Sequence, residues 1–273
     1  MALHVEPVTA RTGGIVTDID LASASNDELA EVEAALFDRL VLFFPGQAME
    51  PKDQMALAGR FGGIDVAPFG PKHPDVPEMT VLDQEAPRGE GADAWHSDNT
   101  FLPSPPKYTM LQSVLLPDVG GDTCWANMYE AYDALSDSMQ SFLEPLTATH
   151  DLSKMLVKAV EMGNSDADLG QMRVTYPPQH HPVVRTHPET GRKALFVNGN
   201  FTTRIDGLSD AESNSILSLL LDHVQSPYFQ CRFRWLPGTL ALWDNRCLQH
   251  YAVPDYTSRR IMHRFTITGD QPR

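Results

Sequence analysis

The hydrophobic and polar residues of this chain follow two different periods. In some stretches, apolar residues recur every three or four positions, which is typical of a helix with one buried face. Capping residues at positions 23–26 precede the first of these stretches, and Pro51 suits the first turn of the second. The pattern therefore predicts helices over residues 29–40, 51–61, 129–146 and 210–224.

Short apolar or alternating runs that end at glycine or proline predict strands. Such runs occur within residues 4–20 and at 41–44, 79–82, 108–116, 123–125, 183–185, 194–197, 229–235, 239–243 and 260–268. Residues 65–77 are rich in proline and predict a loop, and residues 150–181 predict a long polar insertion. Late strands with helices among them favour a mainly β fold, an antiparallel double-sheet roll with decorating helices. We expect one domain spanning residues 1–273.

The composition is that of an ordinary globular protein and narrows the class of partner. Apolar residues make up 42% of the 273 positions and charged residues 21%, which is sufficient for a hydrophobic core. The net charge of −15 argues against nucleic acid and against an anionic membrane surface as partners. A few arginines in a cleft can still bind a small anion, so we expect a small-molecule substrate.

The cysteines and the N-terminal residues bear on the compartment. Cys124, Cys231 and Cys247 are an odd number without C-x-x-C spacing, which disfavours a disulfide framework and a structural zinc site. The first residues are not followed by the apolar segment of a signal peptide. No run approaches the roughly 18 apolar residues that a membrane helix needs. The sequence therefore predicts a soluble cytoplasmic protein.

The segment Trp95-His96-Ser97-Asp98 is the strongest candidate for chemistry. In an extended chain, side chains at i and i+2 project from the same face, so His96 and Asp98 would point together. With a second imidazole they would form the facial triad of non-haem Fe(II) oxygenases. His250 is 154 positions away (250 − 96) and follows an apolar strand and a polar turn. From these residues alone, the pattern favours a packed histidine at a strand end over a metal ligand at His250.

Two arginines near the C-terminus suggest an anion site. Residues 259–266 have the pattern of a strand in which Arg260 and Arg264 share one face while Arg259 lies on the other. Two guanidinium groups on one face suit the binding of a carboxylate or another oxyanion.

A set of motifs in a fixed order then resembles the taurine dioxygenase (TauD/TfdA) family. They are Trp-His-Ser-Asp-Asn-Thr-Phe (95–101), Gly-Gly-Asp-Thr (120–123), His-Pro-Val-Val-Arg-Thr-His-Pro (181–188), Phe-Val-Asn (196–198), Phe-Thr-Thr-Arg (201–204), Trp-Asp-Asn-Arg (243–246), Gln-His-Tyr-Ala (249–252) and Arg-Arg-Ile-Met-His-Arg (259–264). The resemblance covers nearly the whole chain and is weakest in residues 64–94 and 150–180. It implies a double-stranded β-helix core, of the jelly-roll and cupin-like kind. It also implies an enzyme that uses Fe(II), 2-oxoglutarate and O2.

The resemblance implies a role for each matching residue. His96, Asp98 and His250 would hold Fe(II), and Thr123 and Arg260 would bind the distal carboxylate of 2-oxoglutarate. Because one residue fewer separates His250 from the arginine pair than in taurine dioxygenase, Arg259 is the alternative to Arg260.

The family also implies a substrate pocket around the metal. Arg264 matches the arginine that binds the anionic group of the substrate, and Phe101, Phe201 and Trp243 match aromatic residues around the pocket. Asn99 stands where taurine dioxygenase has an apolar residue, so it would place an amide beside the substrate.

The loop after Arg-Phe-Gly (60–62) departs from taurine dioxygenase. Ala67 replaces the histidine that contacts the sulfonate, and Gly70 replaces a tyrosine, so taurine is a doubtful substrate. Lys72 or His73 could restore the positive charge that this loop would otherwise lack.

The predicted function is therefore that of a dioxygenase. It would hydroxylate a small anionic organic molecule, such as a sulfonate, sulfate ester or aryloxyalkanoate, and release succinate and CO2.

The alternative within this class is a biosynthetic tailoring oxygenase acting on an amino-acid-like substrate. Alternatives from other classes are a metal-binding β-roll without oxygenase activity and a zinc hydrolase. The zinc protease signature His-Glu-x-x-His is absent from the sequence, and a hydrolase would not need Thr123 and Arg260. The resemblance leaves homo-oligomer formation open.

Overall fold

The computed structural model of the protein describes residues 3–66, 70–85, 87, 94–161 and 168–273. Its helices are α1 (Asn26–Arg39), α2 (Pro51–Arg60), α3 (Met128–Asp133), α4 (Asp137–Leu143), α5 (Ser153–Glu161), α6 (Leu169–Thr175) and α7 (Asp210–His223), and a 3-10 helix covers Pro227–Phe229.

The strands in the first half of the chain are β1 (Val5–Pro7), β2 (Gly14–Val16), β3 (Val41–Phe44), β4 (Ile64–Asp65), β5 (Lys72–His73), β6 (Val76–Gln84), β7 (Tyr108–Leu115) and β8 (Thr123–Asn127). Those in the second half are β9 (Thr147–His150), β10 (Gln179–Pro182), β11 (Val184–Thr186), β12 (Lys193–Leu195), β13 (Thr202–Ile205), β14 (Gln230–Phe233), β15 (Leu240–Asp244), β16 (Leu248–Ala252) and β17 (Arg260–Ile267).

Two sheets carry the residues of interest. The larger has the order β1-β2-β3-β15-β7-β17-β6-β5, with β4 also paired to β17, and the smaller has the order β14-β8-β16. Nearly all neighbouring strands are antiparallel, and β2 with β3 is a parallel pair. The predicted mainly β fold with decorating helices is confirmed.

Aromatic side chains fill the space between the two sheets. Phe43 of β3 stacks on Phe233 of β14 with ring centroids 3.9 Å apart, and Trp125 of β8 meets Trp243 of β15 edge to face at 5.8 Å. A buried aromatic ring removes about 150–250 Å² from water, which at about 25 cal/mol per Å² is a gross gain of about 4–6 kcal/mol. These contacts hold the two sheets face to face.

Helix α1 covers the outer face of the larger sheet. Ser25 and Glu28 form a reciprocal capping box at its N-terminus, which satisfies backbone donors that would otherwise lack partners. Leu29, Val32 and Leu36 are its buried residues, and they pack in the same apolar cluster as β3. The apolar residues whose spacing predicted this helix therefore form the face that packs against the sheet.

Three segments differ in detail from the predictions. Residues 129–146 form α3 and α4 and not one helix, because the hydroxyl of Ser136 accepts a hydrogen bond from the Met139 backbone nitrogen and starts a new helix. Residues 150–181, predicted as a long polar insertion, hold α5, α6 and β10 within the described ranges, and β10 pairs with β9, which pairs in turn with β13. Within 65–77, β5 and the start of β6 replace the predicted loop.

None of the helices in the described ranges has the length and apolar content that a membrane crossing requires.

Candidate active site

His96 and His250 come together through their backbones. His250 lies on β16, and an antiparallel bridge joins it to His96, whose backbone nitrogen donates to the His250 carbonyl at 3.1 Å while the reverse bond is 2.7 Å. The two imidazole centroids are 4.1 Å apart. On the opposite face, the neighbouring residues Trp95 and Tyr251 stack at 5.6 Å, so the alternation of a strand turns both histidines inward.

Asp98 completes the predicted triad. One ligand atom each from His96, Asp98 and His250 lie within 4.8 Å of one another, and all three residues are buried. The chain turns at residues 98–100, and Asn99 has a φ of +47°. Asparagine tolerates this left-handed conformation better than most residues, so Asn99 has a backbone role in addition to its predicted contact with substrate. Its Nδ2 atom is buried and has no partner in the described parts of the chain.

The protonation states of the triad suit metal binding. Burial raises the pKa of Asp98, but the positive charge of Arg264 and a hydrogen bond from Thr109 are among the effects that outweigh it and lower the pKa to about 2. Burial, with a smaller contribution from His96, lowers the pKa of His250 to about 3. At neutral pH the site therefore offers an ionised carboxylate and a neutral imidazole, the forms that bind metals.

The orientation of His96 is fixed by the backbone. Its Nδ1 atom lies 2.7 Å from the carbonyl oxygen of Ala94, so Nδ1 carries the proton and Nε2 keeps the lone pair that a metal needs. A carbonyl behind a metal-binding imidazole is a common arrangement in metalloproteins.

A second group of potential ligands, His187, Asp244 and Cys247, is also buried, but its donor atoms are already engaged. The His187 Nε2 donates to Asp244 at 3.0 Å, and its Nδ1 accepts from two backbone nitrogens, those of Glu189 and Thr190. The guanidinium of Arg246 neutralises Asp244 through bonds of 2.7 and 2.9 Å. Burial raises the pKa of Cys247 well above its usual value, so it stays a thiol. This group does not fit a metal.

Arg260 and Arg259 differ sharply in their surroundings. Arg259 is exposed and forms a two-pronged ion pair with Asp83, at 2.8 and 2.6 Å. Arg260 is buried, and its Nε atom has no hydrogen-bond partner among the residues that the structure describes. Burial lowers the pKa of Arg260, against smaller opposing effects from Tyr256 and Asp122. A buried guanidinium with an unsatisfied nitrogen is costly unless an anion binds there.

Trp235, which the sequence analysis did not single out, connects Arg260 with Thr123. Its indole nitrogen donates to the Thr123 hydroxyl at 3.0 Å, and the Arg260 guanidinium carbon lies 6.0 Å from the Trp235 ring centroid. Because the Thr123 oxygen accepts this bond, its own proton points elsewhere and can be donated to a ligand. Thr123 pairs with Ala252 and projects from the same sheet face as His250.

Arg264 lies on β17 between the metal triad and Lys72. Its Nη1 atom is 3.3 Å from the Asp98 Oδ1 atom, while its buried Nε atom lacks a partner in the described ranges. Thr80 pairs with Arg264 on one side and with Lys72 on the other, so the three side chains form one row across the sheet. Burial lowers the pKa of Lys72, and the charge of Arg264 lowers it further.

Two other residues of the predicted substrate loop are His73 and Ala67. His73 packs edge to face on His263, with ring centroids 5.7 Å apart, and is not in the row of Arg264. Ala67 lies outside the described residues.

The three aromatic residues predicted to surround the substrate are all buried. Phe101 and Phe201 pack together at 5.2 Å in a small apolar cluster with Leu152. Trp243 lies 4.8 Å from the His250 ring, and its nitrogen donates to Asn245. Their contact with substrate stays a prediction.

Two buried histidines hold the turn that carries Asp98 and Asn99. His150 Nδ1 lies 2.9 Å from the Thr100 hydroxyl, and His181 Nε2 lies 2.9 Å from the Thr100 carbonyl oxygen. Burial lowers the pKa of His150 to about 3, so it is neutral. The sequence analysis did not find this contact, because His150 and Thr100 are 50 positions apart and no local pattern connects them.

A β-roll that gathers two histidines and one carboxylate between its sheets has the donor set of the facial triad found in non-haem Fe(II) oxygenases. The family model described as "Taurine catabolism dioxygenase TauD, TfdA family" matches residues 4–266. The chain therefore belongs to this family, as the motifs predicted.

Individual relatives and solved structures agree with this family assignment. An α-ketoglutarate-dependent sulfate ester dioxygenase of Pseudomonas putida is 35% identical, over 100% of this chain and 91% of its own. An (S)-phenoxypropionate/α-ketoglutarate dioxygenase of Sphingobium herbicidovorans is 35% identical, over 98% of this chain and 96% of its own. The crystal structure of AAD-2 in complex with Mn(II) and N-oxalylglycine superposes with a TM-score of 0.88 at 27% identity, covering 100% of this chain and 99% of that one. The predicted double-stranded β-helix fold and dioxygenase class are confirmed.

We expect the triad, and not the second group of potential ligands, to bind divalent metal. His250→Ala should weaken the binding of Mn(II) to the metal-free protein by at least about 100-fold, because a lost ligand is not replaced. Cys247→Ala removes a potential ligand from the other group and should leave the affinity unchanged. Titration with Mn(II), followed by the electron paramagnetic resonance signal of the free ion, measures both. Equal losses in the two variants would contradict the assignment.

Proposed function

We propose that this protein oxidises a small anionic organic molecule, a sulfate ester, sulfonate or aryloxyalkanoate, at a carbon beside its anionic group. It belongs to the class of Fe(II)- and 2-oxoglutarate-dependent dioxygenases, and relatives that are named for sulfate esters and for (S)-phenoxypropionate support this range of substrates. The observation that carries the proposal is a pair of arginines, the buried Arg260 and the partly buried Arg264, each with a buried Nε atom that has no partner among the described residues. Arg264 also contacts Asp98, and the donors that both guanidinium groups leave unused suit two anionic ligands.

The metal site fits iron by its donor set. His96, Asp98 and His250 would hold Fe(II), which two imidazoles and one carboxylate suit while leaving coordination positions for other ligands. With iron and 2-oxoglutarate bound, the site would couple decarboxylation of the keto acid to succinate and CO2 with hydroxylation of the substrate.

The first anionic ligand is 2-oxoglutarate. Its distal carboxylate would pair with the buried Arg260 guanidinium and accept the Thr123 proton, which the bond from Trp235 leaves available. Both bonds are charge-assisted and form in a site shielded from water, where such bonds are strong. Arg259 is less suited because Asp83 already neutralises it at the surface.

The second anionic ligand is the substrate. Arg264 contacts the metal-facing oxygen of Asp98, so an anionic group bound to it would lie close to the metal. Lys72, in the same row, would add a second positive charge where the loop lacks the family histidine. Asn99, Phe101, Phe201 and Trp243 would complete the pocket.

The remaining expectations concern the whole protein. We propose a single catalytic domain over residues 1–273, because both sheets contribute to one site. The three cysteines are buried free thiols, which supports a reducing cytoplasm. The net charge of −15 supports a protein without nucleic-acid or membrane partners, and homo-oligomer formation stays open.

A substrate panel tests the proposal. Iron-loaded enzyme with 2-oxoglutarate should release succinate with alkyl sulfates, sulfonates or aryloxyalkanoates well above the uncoupled background, and taurine should be a poor substrate. The matched control for each compound is its analogue without the anionic group, for example the parent alcohol of a sulfate ester. Turnover confined to amino acids would favour a tailoring oxygenase and overturn the proposed substrate class.

Substitutions of Arg260 and Arg264 should have different effects in steady-state kinetics. Arg260→Gln should raise the KM for 2-oxoglutarate about 10- to 100-fold, since a charged hydrogen bond contributes about 1.5–3 kcal/mol. Arg264→Gln should instead raise the KM for the anionic substrate by a similar factor. Arg259→Gln on the exposed face is the control and should change neither value. If Arg260→Gln and Arg264→Gln raise the same KM, the assignment is wrong.

Lys72 should contribute less than Arg264, because it lies on β5, two strands away from β17, while Arg264 contacts Asp98 directly. Lys72→Ala should raise the KM for the anionic substrate about fivefold, which corresponds to about 1 kcal/mol for a partly screened charge. It should leave the KM for 2-oxoglutarate unchanged. Lys52→Ala, at an exposed position on α2, is the control. An unchanged KM for substrate in Lys72→Ala removes Lys72 from the site.

A further inference from the structure

The two carboxylate oxygens of Asp98 have different environments. The Oδ1 atom faces the other ligands, 3.9 Å from the His250 Nε2 atom and 3.3 Å from the Arg264 Nη1 atom. The Oδ2 atom faces away and receives a hydrogen bond of 2.6 Å from the hydroxyl of Thr109. Thr109 lies on β7 of the larger sheet and is fully buried.

The direction of the Thr109 bond is set by a donor that cannot reverse. An indole N–H only donates, and the Trp243 nitrogen donates to the Asn245 Oδ1 atom at 3.0 Å. This orients the Asn245 amide, whose Nδ2 atom donates to the Thr109 hydroxyl oxygen at 2.8 Å. The threonine oxygen therefore accepts from Asn245, and its single proton is donated to Asp98.

The same amide also contacts the Asp98 backbone. Asn245 Oδ1 accepts a longer bond, 3.4 Å, from the Asp98 nitrogen, so Trp243, Asn245, Thr109 and Asp98 form a closed set. All four are buried, with at most 3% of their surface exposed, and water does not compete for these bonds. Thr109 and Trp243 are directly paired across neighbouring strands, so the sheet itself fixes their spacing.

We propose that Thr109, oriented by Asn245 and Trp243, is a positioning residue that engages Asp98 Oδ2 and leaves Oδ1 alone for the metal. This rests on the proposed metal site. A carboxylate fixed in this way binds a metal through one oxygen, and so does not occupy a second position that 2-oxoglutarate or oxygen requires. Neither Thr109 nor Asn245 contacts substrate in this scheme, and Trp243 acts here through its nitrogen.

The test compares two substitutions of one hydroxyl. Thr109→Val keeps the shape but removes the donor, and should weaken Mn(II) binding to the metal-free protein about 10- to 100-fold, the usual effect of losing a group behind a metal ligand. Thr109→Ser keeps the donor and should stay within about threefold of the wild type. Thr239→Val is the matched control, because the Thr239 hydroxyl is buried without a partner among the described residues.

A spectroscopic measurement separates positioning from general loss of stability. The visible absorption of the Co(II)-loaded protein reports coordination, so it should change in Thr109→Val and not in Thr109→Ser or Thr239→Val. Trp243→Phe provides a second variant in case Thr109→Val does not fold. It frees the Asn245 amide to turn and should weaken Mn(II) binding several-fold, and combining it with Thr109→Val should add less than the separate losses predict.

Two results would overturn the proposal: Thr109→Val binding Mn(II) like the wild type with an unchanged Co(II) spectrum, or Thr109→Ser losing as much affinity as Thr109→Val. If His250→Ala binds Mn(II) as tightly as the wild type, the proposed metal site is wrong, and this proposal falls with it.

Discussion

The antiparallel bridge between His96 and His250 is the contact on which the rest of the site depends. It joins two segments 154 positions apart (250 − 96) and adds His96 to the edge of the smaller sheet. Strand alternation then determines that both imidazoles point inward while Trp95 and Tyr251 point outward. The cross-sheet aromatic packing sets the distance at which the larger sheet presents Thr109 and Arg264 to the same space.

This space concentrates charge that the protein alone does not fully balance. Asp98 is compensated by Arg264 and by the hydroxyl of Thr109, whereas Arg260 has no such carboxylate partner in the described ranges. By contrast, the buried cluster of His187, Asp244 and Arg246 is internally satisfied. The difference between satisfied and unsatisfied buried charge distinguishes a structural cluster from a binding site, because an unpaired buried ion destabilises the folded state until a ligand arrives.

Much of the site was accessible from the sequence, for identifiable reasons. The spacing of His96 and Asp98 and the alternation of Arg260 and Arg264 are local patterns that strand geometry converts directly into shared faces. The order of the motifs supplied His250, which no local pattern could have singled out. The helices α1 and α7 could also be predicted, because capping residues and apolar periodicity are patterns within a few neighbouring residues.

What the tertiary structure alone decided lies in contacts between distant strands. The bonds of Thr109 to Asp98 and Asn245 depend on the register of β7 against β15, and register is a property of pairing that a single sequence does not display. The strands β9 and β13 escaped the sequence analysis because they are short and their buried positions include polar residues such as His150 and Thr202. The sequence by itself therefore determined the class of chemistry and predicted the candidate metal ligands, since motif and period are local. The structure decided what orients those ligands, because hydrogen bonds between strands form only once the sheets have assembled.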